Sequence, residues 1–258
     1  MDAYERVSRA RDGKRPTGAY FIDEMITDFT ELHGDRRFAD DGAIIGGIGR
    51  LCGKPVTVIA MERGKTIEER MKRNFGCPSP EGYRKALRLM QQAEKFSRPV
   101  ICIVSSPGAY CGIGAEERGQ GLAIAENLME MMTLKTPIVS VIAGEGGSGG
   151  ALALSVADSV FMLENAVYSV ISPEGCASIL WKDSAKAPEA AEALKLTAQD
   201  LLNFSVADKI IPEGNRSFEE ICAELKEALN EEIEKLSQID DYRRCEDRYN
   251  KFRKIGQI

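Results

Sequence analysis

The chain has 258 residues, of which 43% are apolar, and its 34 basic and 40 acidic side chains give a net charge of −6. This length allows a sizeable core in one large or two small domains, and the mixed charge argues against a nucleic-acid-binding surface. The seven cysteines form no C-x-x-C pair and no apolar run is long enough for a membrane span, so we expect no disulfide framework, no metal site, no membrane anchor and a cytoplasmic location.

The first elements are read from polar segments and strand-like runs. Residues 1–23 are polar and are predicted to form an N-terminal arm, ahead of a helix from Glu24 to Leu32. Two strand-like runs follow, Ala43–Leu51 and Lys54–Met61. They meet at Cys52-Gly53, which predicts a hairpin.

A helix begins after this hairpin, with Ser79 as N-cap and Pro80 at its first position, and it is expected to end near Phe96. Two similar units come next, each a buried strand, a glycine turn and a helix, with strands that begin at Arg98 and Thr136. The first of their helices carries an apolar stripe, expected to fill the core or an interface, of Leu122, Ala125, Leu128, Met129 and Met132.

Later strands are predicted at Ser159–Leu163 and Val167–Ile171, with mainly helical structure beyond them. The alternation of buried strands with helices predicts an α/β fold with parallel pairing. We expect residues 24–235 to form one domain. Residues 236–258 are expected to form a charged helical tail that faces solvent or a partner.

The second glycine turn is the most informative segment of the chain. A buried strand from Pro137 runs into Gly144-Glu145-Gly146-Gly147-Ser148-Gly149-Gly150 and continues as an apolar, helix-like stretch. Glycines let the backbone approach a ligand closely, and the first N–H groups of a helix have no partner within it. Together with the helix dipole, these donors predict an anion or oxyanion site built from main chain.

Three chemical interpretations fit the spacing of this turn. Gly144, Gly146 and Gly149 match the dinucleotide motif G-x-G-x-x-G, although the crossover that follows is short. The run also matches the G-x-S-x-G elbow of a serine hydrolase, with Ser148 as nucleophile, but the single histidine, His33, precedes it. An oxyanion hole for an enolate or ureido anion needs no such base. A tight turn that only packs a strand against a helix is the non-functional alternative.

Other polar residues are weaker candidates. The basic run Arg63, Lys65, Arg70, Lys72 and Arg73 could bind phosphate groups or form a solvated face. Cys111 and Cys176 lie beside glycine turns, but without a nearby histidine neither is expected to act as a thiolate nucleophile.

Several long motifs resemble the carboxyltransferase α subunit of bacterial acetyl-CoA carboxylases. They are Arg73–Met90, Pro107–Tyr110, Gly112–Gln120, Gly144–Ala153 and Tyr168–Lys182. The resemblance extends from about Arg11 to Pro212. It implies a crotonase-type fold, a spiral of β-β-α units, and transfer of the carboxyl group of carboxybiotin to acetyl-CoA, which forms malonyl-CoA for fatty acid synthesis.

The resemblance also implies which residues act. The backbone N–H groups of Gly149 and Gly150 would form the biotin-side oxyanion hole, and the internal repeat suggests a contribution from Gly112 and Ile113. Predicted substrate contacts are Gly146, Gly147, Ser148, Tyr110 and Arg73. A side chain at Gly150 is expected to stand in the path of the ureido group.

The implied partners are a homologous β subunit that carries the four-cysteine zinc ribbon, in an assembly of two α and two β chains, a biotin carboxyl carrier protein and biotin carboxylase. The chain itself has no biotinylation motif. It departs from the family at Ser105-Ser106, at Cys111 and at Gly214–Ser217. A related biotin-dependent decarboxylase, a carboxylase for another acyl-CoA and a non-catalytic interaction subunit remain alternatives.

Overall fold

The computed structural model describes residues 1–256, which form an α/β structure around one large mixed sheet. The strands are β1 (Thr27–Glu31), β2 (Ile44–Leu51), β3 (Lys54–Met61), β4 (Val100–Ser106), β5 (Ile138–Gly147), β6 (Ser159–Leu163), β7 (Val167–Ser169) and β8 (Lys209–Ile211). The helices are α1 (Ala3–Ala10), α2 (Gly18–Met25), α3 (Ile67–Lys72), α4 (Pro80–Lys95), α5 (Ile113–Glu117), α6 (Gln120–Thr133), α7 (Ser148–Leu152), α8 (Pro173–Trp181), α9 (Ala187–Leu194), α10 (Ala198–Asn203), α11 (Phe218–Ser237) and α12 (Asp241–Lys254). None of the helices in the described part is long and apolar enough to cross a membrane.

The sheet has the order β1-β2-β3-β4-β5-β6-β8, and β7 pairs with the end of β5. The hairpin β2–β3 is antiparallel, whereas β3, β4, β5, β6 and β8 run parallel. This confirms the predicted α/β class, the hairpin at Cys52-Gly53 and the parallel pairing of the two repeated units. The carboxyl ends of β4 and β5 therefore lie side by side at one edge of the sheet.

Residues 24–32 do not form the expected helix. Thr27–Glu31 is β1, which pairs with β2. Glycines on β2 allow this pairing, because a Cβ at Gly47 would lie 2.1 Å from the carbonyl oxygen of Thr30. The tertiary contact decides the local structure here, as it commonly does for segments of weak propensity.

The N-terminal residues pack onto the domain, unlike the predicted arm. Helix α1 buries Val7 and Ala10 against Leu196 and the helix α9. Arg15 is buried, and its guanidinium donates to the carbonyl of Ala143 and to both carboxylate oxygens of Glu213. The segment is therefore part of the structure that supports β5.

The apolar stripe of α6 mostly faces solvent. Leu122 is 63% exposed and Met129 is 74% exposed, whereas the buried face of the helix includes the polar residues Gln120 and Asn127. Gln120 donates to the carbonyl of Pro78, and Asn127 donates to the carbonyl of Ala153. The helix is thus fixed to the domain partly by amide hydrogen bonds.

The charge-rich tail is helical over Asp241–Lys254, as predicted, but it is not fully solvated. Residues 257–258 of the predicted tail lie outside the described residues. Arg248 on α12 is 1% exposed and forms a two-point ion pair with Asp158, at 2.8 and 2.9 Å. Its other guanidinium hydrogens bind the carbonyl of Met131 in α6 and those of Leu134 and Thr136 in the loop before β5. The side chain therefore satisfies backbone acceptors between α6 and β5 that no residue of those elements caps.

We expect Arg248→Met to lower the free energy of unfolding by about 3–5 kcal/mol, because it leaves the buried Asp158 carboxylate without its cation. Arg243→Met is the matched control, since Arg243 lies on the same helix and its pair with Asp247 is 65% and 46% exposed. The control should change stability by about 0.5 kcal/mol or less. Urea unfolding of both variants at pH 7 measures the difference, and equal losses would contradict a structural role for Arg248.

Candidate active site

Two glycine-containing turns meet where β4 and β5 end. The parallel register aligns Val100 with Ile138 and continues to Ser106 beside Gly146. A Cβ at Gly147 would lie 2.1 Å from the carbonyl oxygen of Pro107, so the two backbones are closer than a side chain would allow. Only glycine at position 147 allows the two turns to make this contact.

The approach continues at the start of α7. A Cβ at Gly150 would lie 2.5 Å from the backbone nitrogen of Ala109 and 2.8 Å from the Tyr83 hydroxyl. At Gly149, by contrast, the nearest heavy atom to such a Cβ is Cγ2 of Ile124, at 3.8 Å. A side chain at Gly150 would therefore clash inside the protein, whereas a Cβ at Gly149 would make only an ordinary van der Waals contact.

The start of α7 supplies main-chain donors. No side chain caps this helix, and the first N–H groups of a helix have no partner within it. Ser148, the first residue of α7, has φ of +46°, a conformation that costs a non-glycine residue energy and often marks a functional site. Ser148 is exposed, Gly149 is half-buried and Gly150 is buried. The arrangement can hold an anion beside the turn without an acidic or basic side chain.

Two cavities border the turn. The first, of about 460 Å³, is mainly apolar and is lined by Ser148, Gly149, Leu152, Tyr168 and Phe252 among others. The second, of about 280 Å³, lies on the strand side, and its lining includes Arg11, Glu145, Gly146, Gly147 and Ser148. Ser148 lies between the two.

Of the sequence-predicted site residues, Gly146, Gly147, Ser148, Gly149 and Gly150 lie together at this turn. Three residues of the first turn have backbone atoms that would lie within 3 Å of a Cβ at Gly147 or Gly150, namely Pro107, Gly108 and Ala109. The predicted pair Gly112 and Ile113 lies at the start of α5, where Ile113 is 81% exposed. Their contribution to the site stays a prediction.

The other two predicted substrate contacts, Tyr110 and Arg73, make their contacts away from the glycine turn. The ring of Tyr110 packs against Gly112, where a Cβ would lie 2.4 Å from Cε1, and its backbone nitrogen donates to the carbonyl of Pro78. Arg73 donates to the carbonyl of Gly42. No hydrogen bond or ion pair between Arg73 and the glycine turn is found within residues 1–256.

Two arginines of the basic run, Arg63 and Arg70, bind backbone carbonyls. Arg63 donates to the carbonyls of Asp12 and Arg15, and Arg70 donates to the carbonyl of Gly64. Burial, followed by the nearby charge of Arg70, lowers the pKa of Arg63. These arginines hold backbone segments in place.

His33 does not complete a serine triad in this structure. Its Nδ1 lies 3.0 Å from a carboxylate oxygen of Asp40, and its side chain is 62% exposed. No contact between His33 and Ser148 occurs in the described part of the chain. Groups of three or more His, Cys, Asp or Glu side chains able to hold a metal ion are also not found among residues 1–256.

Arg11 contacts the glycine turn, although no motif in the sequence pointed to it. This residue ends α1, and its guanidinium binds Glu145 inside the turn and Glu174 at the start of α8. The available signal was a single charged residue, Glu145, within an otherwise small and apolar turn. Such a carboxylate needs a cation close by when it is partly buried.

Comparison with known proteins agrees with this geometry. A family model described as acetyl co-enzyme A carboxylase carboxyltransferase-like matches residues 1–256. The acetyl-coenzyme A carboxylase carboxyl transferase subunit alpha of Ruminiclostridium cellulolyticum is 56% identical over 258 residues, covering 100% of this chain and 99% of the relative. The fused subunits beta/alpha of Clostridium tetani are 53% identical over 100% of this chain, which spans 45% of the fused protein.

The solved transcarboxylase 12S structure with methylmalonyl-coenzyme A and methylmalonic acid bound superposes with a TM-score of 0.68 at 19% identity, over 85% of this chain and 42% of the other. This likeness confirms the expected crotonase-like fold. The length and identity of the sequence matches confirm the resemblance inferred from the motifs. The chain belongs to the acetyl co-enzyme A carboxylase carboxyltransferase-like family.

Proposed function

We propose that this chain is the α subunit of an acetyl-CoA carboxylase carboxyltransferase, which transfers the carboxyl group of carboxybiotin to acetyl-CoA and so forms malonyl-CoA. The observation that carries the proposal is the family match over residues 1–256, together with an uncapped helix start at the Gly147–Gly150 turn. Biotin would be presented as carboxybiotin by a separate carrier protein, which this chain must admit to the turn.

The residues at the turn fit a ureido group. Gly149 lines the larger of the two cavities, together with Ser148, Leu152 and Tyr168. Carboxybiotin supplies the carboxyl group, and negative charge gathers on its ureido oxygen as that group leaves. The N–H groups of Gly149 and Gly150 would stabilise this charge, and one such donor is typically worth about 2.7–4 kcal/mol in the barrier.

The acetyl-CoA side requires a second anion site for the thioester oxygen. We assign that site to a β subunit, since related carboxyltransferases are multi-subunit assemblies and one relative carries β and α segments in a single chain. A tetramer of two α and two β chains, a biotin carboxyl carrier protein and biotin carboxylase complete the proposed system, in the cytoplasm. Gly149 and Gly150 are the proposed oxyanion donors. Further proposed contacts are Gly146, Gly147, Ser148, Tyr110, Arg73, Gly112 and Ile113.

The isolated chain should be inactive because it contains one of the two proposed anion sites. Malonyl-CoA-dependent carboxylation of free biotin, the reverse reaction, is expected only after the β subunit is added. The measurement is malonyl-CoA consumption by the α chain, by the β chain and by their mixture. Robust turnover by the α chain alone would exclude the two-subunit mechanism.

A side chain at Gly149 should reduce the catalytic rate without destabilising the fold. A Cβ there would meet only Ile124, at 3.8 Å, and Gly149 lines the larger cavity. Gly149→Val is therefore expected to lower the reverse rate by about two to three orders of magnitude with little change in melting temperature. Ser148→Ala should cost less than about tenfold, because the hydroxyl is not a nucleophile in this mechanism. Both variants are assayed as complexes with the β subunit, and an inactive Ser148→Ala beside an active Gly149→Val would favour serine chemistry.

Gly150 requires a correction to the expectation from sequence. A side chain at this position would meet Ala109, Gly108 and Tyr83 rather than the ligand. Gly150→Val is therefore expected to separate the two turns and to destabilise the protein by about 1–3 kcal/mol or more, as overpacking does. Thermal melting distinguishes it from Gly149→Val, and an unchanged melting curve for Gly150→Val would contradict the packing seen here.

A further inference from the structure

Arg11 connects three elements around the glycine turn. Its Nε and Nη2 lie 2.9 and 2.7 Å from Oε1 of Glu145 on β5, and its Nη1 lies 2.8 Å from Oε1 of Glu174 on α8. The Tyr4 hydroxyl, which also comes from α1, donates to the same oxygen of Glu174 at 3.1 Å. The guanidinium thus joins the end of α1 to the turn and to the helix that follows β7.

This pairing differs from an ordinary surface salt bridge. The side chains of Arg11 and Glu145 are 33% and 19% exposed, and Arg11 has two-point contact with one carboxylate oxygen. Burial alone would lower the pKa of Arg11, but the hydrogen bonds and charges of Glu145 and Glu174 raise it above its usual range. Burial would raise the pKa of Glu174, and the hydrogen bond from Arg11 lowers it overall. Arg11 and Glu174 are therefore held in their charged forms.

Glu145 is the only side chain through which this part of the turn can be held. Its neighbours Gly144, Gly146 and Gly147 have none. The strained Ser148 and the proposed donors of Gly149 and Gly150 follow within five residues. A rotation of the backbone at Glu145 would change the direction of those N–H groups, and a displacement of about 1 Å in a reacting geometry can reduce a rate about a hundredfold.

The same contact fixes both walls of the smaller cavity. Glu145 pairs with Val167 on β7, and α8 begins four residues after the end of that strand. Arg11, Glu145 and Pro173 all line this cavity of about 280 Å³. Arg11 therefore controls the position of the turn relative to the start of α8.

From these contacts we propose that Arg11 is a positioning residue for carboxyl transfer, which acts through Glu145 on the main-chain donors of the glycine turn. The inference rests on the proposed function. Arg11 acts through another residue and does not touch the reacting atoms. Its loss should therefore lower kcat and kcat/KM equally and leave KM for biotin and for malonyl-CoA unchanged, the pattern of an interaction needed only in the transition state.

Arg6 provides a matched control on the same helix. Its guanidinium donates to the carbonyl of Glu164 and to the side chain of Asn165, at 2.6 and 3.1 Å. These contacts hold α1 to the domain without involving the glycine turn. If Arg11 only held α1 in place, Arg11→Ala and Arg6→Ala would have the same effect on kcat.

The test compares Arg11→Ala, Arg11→Lys, Arg6→Ala and wild type, each assembled with the β subunit, in the reverse reaction with malonyl-CoA and free biotin. We expect kcat to fall about ten- to a hundredfold for Arg11→Ala, with both KM values within about twofold. Arg11→Lys should recover part of the rate, because an ammonium keeps the charge but cannot form the same fork. Arg6→Ala should keep kcat within about threefold of wild type.

A double variant tests whether the effect of Arg11 on kcat passes through Glu145. Adding Glu145→Ala to Arg11→Ala should lower kcat little further than the more damaging single change, since the two residues act as one unit. Full additivity, equal kcat values for Arg11→Ala and Arg6→Ala, or a rise in KM for biotin at constant kcat would each overturn the proposal. The last result would instead indicate direct substrate binding by Arg11.

Hydrogen exchange provides a readout that does not depend on the reaction. Amide exchange over residues 144–152 should be faster in Arg11→Ala than in wild type and Arg6→Ala, while other core peptides stay unchanged. Equal exchange in all three would overturn the positioning role. An inactive wild-type complex would instead refute the proposed function, and the exchange result would still decide whether Arg11 holds the turn.

Discussion

The close approach of two backbone turns is the constraint on which the site depends. Parallel pairing brings the ends of β4 and β5 to one edge of the sheet, and Gly147 lets Pro107 approach to a distance that no side chain permits. Gly150 does the same for Ala109. One side of the turn therefore rests against this neighbouring loop.

The sequence predicted the parts of this arrangement that local signals specify. Pro80 and Ser79 indicated the start of α4, Cys52-Gly53 indicated the β2–β3 hairpin, and the glycine run after a buried strand indicated the turn from β5 to α7. The family motifs then identified the fold and the chemistry. Spacing alone left the dinucleotide, hydrolase and oxyanion interpretations open, because the same glycines satisfy all three patterns.

Other features depend on partners that are distant in the chain. Arg11 and Glu145 are 134 positions apart, so the sequence around Arg11 predicts only a polar arm. Arg248 caps carbonyls more than a hundred positions away, and nothing in the local charge pattern of α12 distinguishes it from exposed Arg243. The inward direction of Gly150 likewise depends on Ala109 and Tyr83, which a pattern of glycines cannot reveal.

The exposed apolar side chains of α6 have a consequence for the physical behaviour of the chain. Its buried face combines Ala123 and Met131 with the amides Gln120 and Asn127, whereas Leu122 and Met129 contact water. Exposed apolar area lowers solubility and favours association at the same positions. A polar substitution at Leu122 or Met129 is therefore expected to raise solubility and to weaken any association through this face of α6.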